Sequence, residues 1–138
     1  GVEHNYTNVR SVSGINNVMH RIVRTDASNT ELFLVQFDSS VGLGQLVDGQ
    51  VKYIRITNLD DTNLLRCNAR STSKVVSFQL AAGETIIFNN GKVEGRADTT
   101  ISGITYTDID AIGVQGRNST DAGPAAVDVE IFVASTQS

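Results

Sequence analysis

"YIRITNLDDTNLLRCNA", running from Tyr53 to Ala69, holds two runs of alternating apolar and polar residues joined by a polar stretch. Side chains of a strand point alternately to its two faces, so a period of two marks each run as a strand. Ile54 and Ile56 face one way, with Tyr53, Arg55 and Thr57 the other. Leu65, Cys67 and Ala69 share one face of the second run. Between them, Asp60 and Asp61 fall where an Asp carboxylate bonds its own backbone and stabilises a turn. The stretch therefore predicts a β-hairpin.

The same period recurs along the chain. "TELFLVQF" (Thr30–Phe37) puts Phe33, Val35 and Phe37 on one face and Leu32 and Leu34 on the other. "KVVSFQL" sets Val76, Phe78 and Leu80 against Val75, Ser77 and Gln79, and "ETIIF" pairs Ile86 with Phe88. In "AVDVEIFVA", Val127, Val129, Ile131 and Val133 point inward while Asp128 and Glu130 point to solvent. Further strands are expected at Asn8–Val12, His20–Arg24 and Ala111–Gln115. Clusters rich in Gly, Asn, Asp and Ser separate these runs, and Pro124 precedes the last one, where it breaks no ladder. No 3.6-residue apolar stripe is present. The pattern predicts an all-β, antiparallel β-sandwich of about eight strands, with little or no helix. Its expected core is Phe33, Val35, Ile54, Ile56, Val76, Phe78, Ile86, Val129 and Ile131.

With 138 residues, 40% of them hydrophobic, the chain suits one domain spanning residues 1–138. The net charge is −4, and the 11 Lys and Arg residues are scattered with no basic run, which argues against a nucleic-acid partner. No apolar run approaches the roughly 20 residues that span a bilayer, so no membrane partner is expected. "GVEHNYTNVR" lacks the apolar stretch of a secretory signal.

Chemically active groups are sparse. His4 and His20 are the two histidines, too few for a three-histidine metal site. Cys67 is the single cysteine, and its place on an apolar strand face predicts a small buried hydrophobe. No G-x-S-x-G elbow occurs, and the glycines of "VGLGQLVDG" lack the following helix of a phosphate cradle. Asp108 and Asp110 have the spacing of one strand face; a solvated or backbone-bonded role is preferred to calcium binding. Asn118–Ser119–Thr120 matches a glycosylation sequon of three residues, a pattern short enough to occur by chance. No catalytic centre, metal or cofactor is expected.

The N-terminal segment, residues 1–8, carries Val2, His4 and Tyr6 at alternate positions. These three are the candidate partner contacts, in an arm able to add a strand to a neighbour's sheet edge. An ordinary first strand behind a frayed end fits the same pattern. Gly42–Gly49 and Gly113–Gly123 read as Gly-rich loops long enough to reach a partner.

"EHNYTNV", the series "VKYIRITNLDDTNLLRCNARSTSKVVSFQLAAGETIIFNN" and the close "DIDAIGVQGRNSTDAGPAAVDVEIFVAS" together resemble small structural proteins of tailed bacteriophages. The likeness lies in turn and strand patterns over about Asn5 to Ser135. It implies a jelly-roll or related sandwich and a capsid decoration (cement) protein, a homo-oligomer, trimer or dimer, that bridges the major capsid protein on the virion surface after synthesis in the host cytoplasm. The alternative implied is a tail or head-fibre module that binds a host receptor or glycan.

Overall fold

The computed structural model describes residues 14–15, 17–38, 46–47, 51–71, 74–88, 94–95 and 107–136. Among them lie β1 (Asn17–Arg24), β2 (Leu32–Asp38), β3 (Leu46–Val47), β4 (Val51–Asn58), β5 (Leu64–Arg70) and β6 (Val75–Leu80). Then follow β7 (Thr85–Phe88), β8 (Glu94–Gly95), β9 (Thr107–Asp108), β10 (Ala111–Arg117) and β11 (Asp128–Ser135), with no helix among the described residues. The strand expected at Asn8–Val12 lies outside the described residues.

Pairing is nested: β1 with β11, β2 with β10, β4 with β7 and β5 with β6, all antiparallel. One long hairpin with its tip at β5–β6 has this pairing. Rolled up, it yields the sheet β1-β11-β4-β7 and the sheet β2-β10-β5-β6, the latter extended by the short parallel strand β3. This is the arrangement of a jelly-roll sandwich.

The hairpin expected over Tyr53–Ala69 is not formed. β4 and β5 belong to opposite sheets, so "NLDDTN" is an arch that carries the chain across the sandwich. Alternation specifies which residues face the core, and an arch preserves that property as well as a hairpin does. β5 instead forms a hairpin with β6, closed by a bond from Ser71 N–H to Lys74 C=O of 2.9 Å.

The core lies between the sheets. Ile54, Ile56, Val129, Ile131 and Val133 of one sheet meet Val35, Leu65, Cys67, Ile112 and Val114 of the other, all buried. Each large side chain withdrawn from water contributes about 1.5–3 kcal/mol. Three expected core residues are placed otherwise, and one of them, Val76 on β6, is only half-buried and stands outside the buried cluster. Phe33 is 46% exposed, because an extra residue in β2 opposite the Ile112–Gly113 step buries Leu34 and Val35 in succession and turns Phe33 outward. Phe78 keeps its inward parity opposite Cys67 but sits on the edge strand β6 and is 39% exposed. There it meets the Phe88 ring edge-on across the seam, at 6.2 Å between centroids.

Candidate assembly surfaces

The outward face of the four-stranded sheet centres on Phe132. Its position in β11 has the solvent-facing parity of Glu130, and the register sets it between His20 of β1 and Arg55 of β4. Tyr53 meets it edge-on at 5.9 Å and His20 lies tilted to it at 6.4 Å, while the Arg55 guanidinium carbon lies 5.2 Å from its ring centroid. Glu130 ties the cluster together: it accepts from Arg55 at 3.1 Å and lies 3.3 Å from His20 Nε2. Around this cluster the same face carries Val18 (56% exposed), Ile22 (62%) and Ile87 (50%) on the edge strands β1 and β7.

The opposite outward face is a polar network. Glu31 pairs with Arg70 and receives a bond from Asn68 Nδ2 at 3.3 Å. Asn68 in turn accepts from Ser77 Oγ at 2.7 Å. Arg66 and Arg117 grip Asp121, with 3.0 Å from Arg66 to each carboxylate oxygen and 2.7 Å from Arg117 Nε to Oδ1. Bonds from Arg117 and Arg66 hold the Asp121 carboxyl below its ordinary pKa.

That grip corrects the expected loop Gly113–Gly123. Residues through Arg117 belong to β10, and the rest is a tight turn in which Asn118 Oδ1 accepts from Thr120 N–H at 3.2 Å and Ala122 N–H at 2.9 Å. Asp108 and Asp110 do not share one strand face either. Asp108 ends β9, whereas Asp110 lies between strands and donates its N–H to Arg70 C=O at 2.7 Å. Among the described residues no three His, Cys, Asp or Glu side chains form a group that could hold a metal ion.

The edges differ in protection. β1 turns Arg21 inward, where it donates to Leu34 C=O at 2.8 Å and closes the seam with charge. β6 has no charged residue, and among the described residues it pairs with β5 alone. Val2, His4, Tyr6 and most of Gly42–Gly49 lie outside the described residues. The Phe132 cluster is absent from the sequence-based candidates; its signal is an aromatic residue at the solvent parity of "VEIFVA".

No protein-family profile matches the chain, and no curated protein does. Among solved structures, the fold is similar to a protein described under "Bacillus endospore appendages form a novel family of disulfide-linked pili". The TM-score is 0.50 at 11% identity, covering 96% of this chain and all of the other. At that identity the likeness is one of fold.

Proposed function

We propose that the chain is a structural protein of a virion, binding the outer surface of a phage capsid and cementing the major capsid protein lattice as a homo-oligomer. The observation that carries this reading is the exposed apolar side chains on separate edges of the sandwich: Val18 and Ile22 on β1, Ile87 on β7 and Phe78 on β6. Such residues suit lasting contact with other protein surfaces. The resemblance in strand and turn patterns to phage structural proteins supplies the capsid. The pilus protein of similar fold supports the coarser part, a subunit that works within an ordered assembly. No catalysis, metal or cofactor enters this role.

Cement of this kind binds the assembled lattice and not free subunits, so it stabilises the shell by its binding free energy at each site. Many modest contacts on one shell act together. Residues Gly1–Asn8, with Val2, His4 and Tyr6, are the proposed arm. Deleting them should leave a folded β-protein that binds shells poorly, and shells lacking the protein should assemble but break at lower temperature. Equal heat resistance with and without the protein would sink the cement role. Undiminished binding by the truncated chain would remove the arm from it.

The neighbour's description also favours a second reading, a filament or appendage subunit. Long regular polymers of the purified chain under electron microscopy would replace the capsid reading with this one.

A further inference from the structure

The homo-oligomer part of the reading above leaves open which surface joins the copies, and the charge pattern of the strand edges points to β6. An edge strand presents a row of backbone N–H and C=O groups to any chain that can extend beside it. Natural edges are blunted by inward charges, lysines, proline or brevity. β1 has its inward Arg21, and β7 is four residues long. β6, "VVSFQL", has none of these devices, and its Val75 and Phe78 are 38% and 39% exposed. We infer that two copies of this chain join along β6, antiparallel across a two-fold axis, making one continuous sheet from their two five-stranded sheets.

The strand is self-complementary in that arrangement. With Phe78 opposite its own copy, Val76 faces Leu80 and Ser77 faces Gln79. Apolar then meets apolar on the inner face and polar meets polar on the outer. The ends agree in charge as well. Lys74 immediately precedes β6, and the Glu84 carboxylate is held at the other end, where Oε2 accepts from Ala81 N–H at 2.9 Å. Antiparallel pairing brings each Lys74 towards the other copy's Glu84. The exposed part of Phe78 is covered by its counterpart.

Analytical ultracentrifugation of the isolated full chain tests this without any capsid present, so its outcome is separate from that of the cement role. The wild type should sediment as a concentration-dependent dimer. Val75→Lys/Gln79→Lys should weaken the dimer about tenfold or more by setting lysines along the joined edge. Val18→Lys/Ile22→Lys on β1 should leave it intact. Circular dichroism and the melting temperature confirm folding, and Gln79→Lys alone serves if the double variant does not fold. A monomeric wild type, or a dimer dissociated by the β1 variant and untouched by the β6 variants, overturns the inference. So does a dimer lost only on deletion of Gly1–Asn8, which would make the neighbour's arm the occupant.

Discussion

Asn58, at the end of β4, donates from Nδ2 to the backbone carbonyl of Leu80, at the end of β6, over 3.2 Å, although the two strands belong to opposite sheets. The same nitrogen serves Asn63 C=O at 2.9 Å and Ala81 C=O at 3.1 Å, and Oδ1 accepts from Asp60 N–H at 3.0 Å. Its backbone bonds Glu84 C=O at 2.9 Å and Gly83 N–H at 3.0 Å. Gly83 has φ of 78°, a left-handed conformation that glycine adopts without strain. One fully buried residue thus fastens the β4–β5 arch to the β6–β7 arch.

Asn58→Ala should therefore cost about 3 kcal/mol or more, since it strands the buried Leu80 carbonyl and the half-buried carbonyls of Asn63 and Ala81 at once. Asn58→Asp keeps the shape but sets a carboxylate oxygen against those carbonyls, so it should be worse at neutral pH than in mild acid, where protonation restores a donor. Urea midpoints at two pH values measure both effects.

Acid should loosen the protein through two carboxyls. Backbone bonds from Asn63 and Thr62 hold Asp60 below its ordinary pKa, and Arg117 and Arg66 do the same for Asp121. A folded-state pKa below the unfolded one gives stability that is present above about pH 4 and lost as pH falls through the folded value. Asp60→Asn with Asp121→Asn should be less stable than wild type at pH 7 and lose less on acidification. A fall below about pH 4 as steep as that of the wild type would rule these two groups out as the cause.

How far the fold could be read beforehand follows from what alternation encodes. β4, β6, β7 and β11 stand within a residue or two of their expected bounds, and Val127 to Val133 face inward at every second position, because burial of one face is written directly in side-chain type. Partner choice is not written there. The Tyr53–Ala69 arch reads as a hairpin because Asn58, the residue that makes it an arch, acts through atoms distant in sequence. Phe33 is misplaced by a bulge at Leu34, which reverses parity between Val35 and Phe33 without a local mark. Phe132 was visible only as an aromatic out of phase with its strand's apolar face, and the edge position of β6 only as missing charge.

Cys67 is fully buried between the sheets, and desolvation first, with the Glu31 charge second, pushes its thiol up to about 12. Native protein should leave a chromogenic disulfide reagent unreacted and react once denatured. Assemblies of this chain should run as single chains without reductant, unlike pili described as disulfide-linked. Because the folded pKa is raised, the related stability is whole below the unfolded value of about 8.5 and declines as pH rises above it. Rapid native labelling of Cys67 would mean that the sandwich opens there.

Phe78 and Ile131 separate edge from centre. Both point inward, yet Ile131 is fully buried on β11, between β1 and β4, whereas Phe78 is 39% exposed on β6. Ile131→Ala leaves a cavity that its close-packed neighbours cannot fill and should cost about 3–5 kcal/mol. The fully buried ring expected from the sequence would cost about as much in Phe78→Ala. At the open seam, water reaches the vacated space and Phe88 can move over it, so the loss should be nearer 1–2 kcal/mol in the monomer. Measured instead at concentrations where β6 pairs with β6, the cost of Phe78→Ala should grow, because the counterpart ring is lost too, while that of Ile131→Ala should not. Unfolding midpoints of both variants over a concentration series decide the matter. If the Phe78→Ala cost is independent of concentration, Phe78 contributes to the seam of one chain and to no joint between two.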